Sequence, residues 1–185
     1  AVEYDAPRHR YMNTALLIDG RNTAYRAYFA AKGNDKPINY FVVWLRFAMS
    51  WINKFRPTSV HVFWDCEKDK VWRKKIYPAY KDNRDEQDPS VKETIDKLQK
   101  TAMSLLPYMN TRNYMVEEQE ADDLLYAACK VIRDKSIVIV TSDSDMHQLQ
   151  WIMKNVQVYD PNQNKIVDTP EVNPIFMKAL AGDKS

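Results

Sequence analysis

Apolar residues along the chain follow two rhythms. Short runs over 14–19 (TALLID), 59–65 (SVHVFWD) and from 136 (SIVIVTSDSD) read as buried strands, and each closes on or leads into acids. Between them the spacing is helical. RNTAYRAYFAAK puts Ala24, Tyr28 and Ala31 on one face, and NYFVVWLRFAMSWINKF reads as a long, largely buried helix. SVKETIDKLQKTAMSLL is a third helix, opened by Asp88 as cap and Pro89 in the first turn. ADDLLYAACKVIRD is a fourth, with Ala121, Leu125, Ala128 and Ile132 on one face. NVQVYD and NKIVDT read as two short strands joined by the turn PNQN, and NPIFMKALAGDKS opens as another helix.

Strands alternating with helices predict an α/β fold with a central, mainly parallel sheet flanked by helices. In open sheets of this kind ligands sit beyond the carboxyl ends of the strands. Asp19, Asp65, Asp143 and Asp145 all fall at or just past such ends, so separate strands aim carboxylates at one edge.

A further acidic run, EEQEADD, holds Glu117, Glu118, Glu120, Asp122 and Asp123 directly before the fourth helix. Acids complement the positive end of a helix dipole, and that alone explains such a run. Singly, Asp19 reads as a turn residue, Asp65 as a loop acid, and Ser142 with Asp143 as caps of the helix DMHQLQWI. Jointly, carboxylates crowded at one sheet edge repel unless a counter-charge is present, and hard divalent cations with oxygen ligands supply it. The three histidines (His9, His61, His147) are scattered, and the two cysteines (Cys66, Cys129) have no metal-type spacing, so magnesium or manganese is expected and zinc is not. On a helical wheel Glu120 and Asp122 border the apolar face, whereas Asp123 points further away.

Composition excludes several classes. The 185 residues suit one domain, 45% apolar and 28% charged, with a net charge of +2 that identifies no partner. Two cysteines fit a reducing compartment better than a disulfide scaffold, and no apolar run is long enough to cross a membrane. Residues 1–13 are polar and read as an extension ahead of the fold. Charge distribution says more than its sum. From Lys68 to Arg84 seven basic residues (Lys68, Lys70, Arg73, Lys74, Lys75, Lys81, Arg84) face two acids, with Trp72, Tyr77 and Tyr80 interleaved. A solvated basic loop is the plain reading. Beside Asp65, however, cations for phosphates and rings for bases suit single-stranded nucleic acid, and the pairing suggests phosphodiester chemistry.

In these residues the chain resembles the 5′-nuclease family of flap endonucleases, phage 5′–3′ exonucleases and the 5′-nuclease domains of bacterial DNA polymerases. LLIDGRNTAYRAYFA, FWDCEKDKVWRKKIYPAYKDNR, EQEADDLL, VTSDSDMHQL and ALAGDKS match its five blocks in order. The resemblance implies a PIN-like core with a basic helical arch or clamp over about 66–113, inside a catalytic region over 14–170. It implies two magnesium ions, replaceable by manganese. Asp19, Asp65, Glu120 and Asp122 would hold one, with Asp123 as an additional candidate, and Asp143, Asp145 and Asp183 the other. It gives catalytic roles to Lys81 on the scissile phosphate and to Arg73 and Arg84 in steadying substrate. Tyr80, Tyr77, Lys74, Lys75 and Arg21 become nucleic-acid contacts. The expected partner is DNA with a 5′ flap or 5′ end, or an RNA–DNA hybrid, met by a monomer in the cytoplasm (the host's, if phage-encoded). The fifth block normally carries a second Asp, one residue past Ser185. Residues 171–185 are accordingly expected to open a truncated helix-hairpin-helix region, with a potassium ion only where that region is complete. A non-catalytic branched-DNA-binding fragment and a PIN-type ribonuclease are the alternatives. An aspartyl phosphatase fits less well, because the strand-end acids are too numerous.

Overall fold

The unbroken apolar run at 14–19 becomes β1 (Thr14–Asp19), with Ala15, Leu16, Leu17 and Ile18 fully shielded from solvent. The computed structural model describes residues 13–32, 39–81 and 88–181. Five further strands follow: β2 (Ser59–Phe63), β3 (Thr111–Tyr114), β4 (Ser136–Val140), β5 (Val156–Asp160) and β6 (Lys165–Ile166). They form one sheet in the order β3-β2-β1-β4-β5-β6, parallel except for the antiparallel β5–β6 pair. Asp19 aligns with Phe63 of β2 and Ile18 with Val140 of β4, so β1 lies between the two other acid-bearing strand ends.

Side chains alternate across the sheet. Leu16, Ile18, Val62, Val138 and Val140 pack on helices α1 (Gly20–Ala31), α2 (Tyr40–Phe55) and α4 (Pro89–Leu105). Ala15, Leu17, Ile137, Ile139 and Val158 pack on α5 (Ala121–Val131) and α6 (His147–Ile152). Each helix buries a periodic stripe: Trp44, Ala48, Trp51 and Phe55 in α2, and Ala121, Leu125 and Cys129 in α5. Asp88 caps α4 by accepting from the Ser90 N–H, with Pro89 at the first helical position, as the sequence predicts. Beyond the sheet, α7 (Pro174–Ala181) follows the β5–β6 hairpin. Among the described residues no helix is long and apolar enough to cross a membrane.

The segment expected to arch over the site divides in two. Its second part is core. Val91, Ile95, Leu98 and Ala102 of α4 are buried in the sheet's helical layer, and Thr111–Tyr114 form the edge strand β3. TRNY is too short and too polar to read as a strand; its pairing with β2 is a tertiary fact. Only the part before α4 stands apart from the sheet layers: a 3-10 turn at Lys68–Lys70, then the short α3 (Trp72–Ile76) and a turn reaching Lys81.

Candidate metal centre

Three parallel strands end together, and each contributes acid. Asp19 ends β1 and caps α1, its Oδ1 accepting from the Asn22 N–H at 3.1 Å. Its Oδ2 accepts from the Thr141 hydroxyl at 3.0 Å, just past β4. Asp65 lies two residues beyond β2, and its Oδ1 accepts from the Ala121 N–H at 2.7 Å. The N-terminal end of α5 is thereby hydrogen-bonded to an acid from a neighbouring strand. Asp122 sits in the first turn of α5. Asp143 caps the 3-10 turn after β4, accepting from the Asp145 N–H at 2.8 Å, while its own N–H donates to the Thr141 hydroxyl at 3.1 Å.

The electrostatics register this crowding. Asp19 is 5% exposed, and its pKa is pushed up to about 8, first by burial and then by the charges of Asp65 and Asp122. Asp122 is pushed up to about 7 by burial, Asp143, Asp65 and Glu120. Asp65 also rises, mainly through burial, with the Ala121 N–H and the charges of Arg21 and Lys81 pulling the other way. Such a group of carboxylates has more negative charge than its surroundings neutralise.

The basic segment answers part of that charge. Lys81 donates to Glu120 Oε1 at 2.5 Å, and Tyr80 and Arg73 donate to Oε2 at 3.0 and 2.7 Å. Arg73 also forks onto Asp123, Nη2 to Oδ1 at 2.6 Å and Nη1 to Oδ2 at 2.8 Å. Partial burial alone would raise Asp123, but the Arg73 hydrogen bonds and charge and the Glu120 N–H hold it below the usual carboxylate range. At the other border Lys178 of α7 pairs with Asp145 at 2.6 Å. Accordingly, among the described residues no three carboxylate, imidazole or thiol side chains are gathered closely enough to hold a metal ion as they stand. Glu120 and Asp145 are drawn aside by protein cations, while Asp19, Asp65, Asp122 and Asp143 keep influencing one another. The donor chemistry fits a hard divalent cation: it is all oxygen, and burial, followed by the charges of neighbouring carboxylates, raises the pKa of two of its carboxyl groups.

The remaining candidates are spread around this centre. Arg21, at the start of α1, is held by Asp96 at 3.0 Å and Gln99 at 3.4 Å. Lys74 pairs with Asp69 at 3.5 Å, Lys75 pairs with Glu118, and Tyr77 is 62% exposed. Arg84 and Asp183 lie outside the described residues. Three neutral residues brace the centre and were not singled out in the sequence. Thr141 bridges Asp19 and Asp143; Asn22 accepts from the N–H and hydroxyl of Ser142 at 3.0 and 2.9 Å; Gln99 donates to the Asp65 carbonyl at 3.3 Å. The only signal for Asn22 and Thr141 is adjacency to acids in DGRN and VTSD, and Gln99 has none.

Comparison with known proteins agrees with this arrangement. The family model for the 5′-3′ exonuclease N-terminal, resolvase-like domain matches residues 14–176. Relatives include flap endonuclease Xni of Shewanella denitrificans, 28% identical across 85% of this chain and 60% of that protein. The 5′-3′ exonuclease of Aquifex aeolicus is 27% identical across 94% of this chain and 63% of that protein. The chain thus spans about three-fifths of the length of these relatives. The D15 protein of bacteriophage T5, co-crystallised with metal ions, shares the fold with a TM-score of 0.74 at 20% identity, over 92% of this chain and 67% of that one. The same phage's flap endonuclease, in a pseudo-enzyme–product complex with DNA and metal ions, superposes with a TM-score of 0.65 at 18% identity, over 83% of this chain and 57% of that one. With the family model covering nearly all of the sheet and its acid-bearing ends, the chain belongs to the 5′-3′ exonuclease N-terminal, resolvase-like domain family.

Proposed function

We propose that this chain is the catalytic core of a divalent-metal-dependent 5′ nuclease that hydrolyses DNA phosphodiesters at flaps and free 5′ ends in replication or repair. The observation that carries the reading is the convergence of Asp19, Asp65 and Asp143 from three strand ends with Asp122 of α5, where burial first and the neighbouring carboxylates next push the pKa values of Asp19 and Asp122 upward. Family membership and the names of the relatives support the reaction class.

Asp19, Asp65, Glu120 and Asp122 are the residues for one magnesium ion, and Asp143, Asp145 and Asp183 for a second, with manganese as a substitute. Magnesium held there would supply hydroxide near neutral pH and neutralise oxygens of the scissile phosphate. The protein's own contribution is placement and charge. Lys81, now on Glu120, is within the span of one side chain of the acids and would transfer its ammonium to a phosphate oxygen. Arg73 and Arg84 would steady the strand, Lys74, Lys75 and Arg21 would meet other phosphates, and Tyr80 and Tyr77 would stack on bases. The RNA strand of a hybrid presents the same phosphodiester and is a second substrate of this reading. A role on replicating DNA fits a cytoplasmic protein, in the host's cytoplasm if phage-encoded.

The test is cleavage of end-labelled 5′-flap DNA with magnesium, with manganese and with chelator. Metal-dependent release of a short 5′ product, lost in Asp143→Asn, is the expected result. Binding without cleavage in either metal would instead mark a recognition module, a reading favoured by the hold of Lys81, Arg73 and Lys178 on the acids. Preference for single-stranded RNA over flap DNA would overturn the substrate assignment.

A further inference from the structure

We infer that Asp123 is a positioning residue that anchors the basic segment to the N-terminus of α5 through Arg73, and is not a ligand of the metal cluster. The inference rests on the metal-centre reading only for what that segment is placed beside. A carboxylate offers about four lone-pair directions. Four donors meet those of Asp123: Arg73 Nη2 on Oδ1, and Arg73 Nη1, the Trp72 indole N–H (3.4 Å) and the Glu120 N–H (3.2 Å) on Oδ2, which fills Oδ2 and leaves one direction on Oδ1 beside the Arg73 fork. Ligation of a cation through both oxygens would have to break a two-bond fork, the strongest side-chain pairing available to a carboxylate. The adjacent Asp122 has no hydrogen bond to any described residue and faces Asp143 and Asp65 instead. One helical step of about 100° separates the two carboxylates and gives them different partners.

Around that fork the root of the segment is fixed at several points. The Cys66 N–H donates to the Gln119 carbonyl at 3.2 Å and the Trp72 N–H to the Glu118 carbonyl at 3.0 Å. The Arg73 guanidinium lies over the Trp72 ring at 4.8 Å and near the Tyr80 ring at 5.9 Å. Arg73 is therefore the side chain through which α3, the Tyr80 turn and α5 meet, and Asp123 is the carboxylate that takes both of its Nη groups, with Glu120 sharing one. The doubled acid in EADD then divides its work: Asp122 faces the ions and Asp123 holds the segment that carries Lys81.

Two measurements on the metal-free chain test this, and neither needs nuclease activity. The first is Mn2+ titration followed by the resonance of free Mn2+. Asp123→Asn should leave the affinity within about twofold, while Asp122→Asn weakens it roughly tenfold or more, about 1.4 kcal/mol. The second is hydrogen exchange of peptides covering 66–81. Asp123→Asn should speed exchange there about tenfold, Arg73→Gln at least as much because it also gives up Glu120, and the double variant no further than Arg73→Gln, because the Asp123–Arg73 pairing is already lost in each single variant. Asn keeps an oxygen for the Glu120 N–H, so the start of α5 survives the change. An Asp123→Asn loss of Mn2+ affinity equal to that of Asp122→Asn, or exchange at 66–81 that does not move, would overturn the assignment. A wild-type chain that binds no Mn2+ would sink the metal reading, while the exchange experiment still decides the anchor.

Discussion

Removing the charge of Asp122 should stabilise the metal-free protein while destroying its activity. The carboxyl has no hydrogen bond to lose among the described residues, and its pKa stands at about 7 against an ordinary 3.8, through burial and then Asp143, Asp65 and Glu120. At about 1.4 kcal/mol per pKa unit the ionised group costs the folded state up to about 4 kcal/mol at neutral pH. Much of that is repulsion that neighbouring side chains relieve by moving, so about 1–3 kcal/mol is the expected gain for Asp122→Asn. The sign follows from proton binding. Between pH 4 and 7 the folded chain holds a proton on this carboxyl that the unfolded chain has released, so stability falls as pH rises through that window. It is fully present below about pH 4 and lost by the folded value near 7. Asp19, with a folded pKa of about 8, pulls in the same direction and extends the decline. Urea unfolding in chelator at several pH values from 4 to 8, wild type beside Asp122→Asn, isolates the term as a difference of slopes. The variant should lose stability more slowly with pH, by up to about one proton's worth, roughly 1.4 kcal/mol per pH unit. Magnesium should then steady the wild type above pH 6 far more than the variant. A variant no more stable than wild type at pH 7, or one with an identical pH slope, would refute the electrostatic account of this centre.

Gly20→Ala places a Cβ 2.5–2.7 Å from the indole of Trp64, which is fully buried and tied through Nε1 to Asn113 at 3.0 Å. The ring has no room to yield, so the urea midpoint should drop by the equivalent of about 1–3 kcal/mol; a wild-type midpoint would refute the claim that Trp64 is held in place. Lys81→Ala should lower the turnover number on flap DNA by about a hundredfold or more with little change in DNA affinity, since one charged contact at the reacting phosphate is lost among many along the strand; equal loss in binding and turnover would count against that placement.

What the sequence made legible is what burial writes into it. β1 and β4 lie inside the sheet, so their apolar runs are nearly continuous, and the acids past the ends of β1, β2 and β4 were readable as a set only because parallel strands share an edge. Helices with an apolar stripe and a capping pair, such as Asp88–Pro89, were equally plain. β3 was not, because a four-residue polar edge strand is specified by its neighbour and not by its own residues. α4 was legible as a helix within the expected arch segment, but its burial against the sheet was not, because an amphipathic stripe does not name its partner. In the centre, charge was easy to find and its partners were not. The wheel turned Asp123 away from its neighbours, but nothing in the sequence paired it with Arg73, fifty residues earlier. Thr141 is an ordinary residue until folding brings it to Asp19, 122 positions away.

The insertion of β4 beside β1 also sets a schedule for synthesis. A chain still growing on the ribosome can form β1, β2 and the helices between them, yet β1 then has one bare edge. The hydroxyl that braces Asp19 and the carboxylate of Asp143 arrive together, on the loop that follows the late strand. No fragment lacking that loop contains the whole acidic cluster. The acids of β1, β2 and the β4 loop come together only once β1 is paired on both sides.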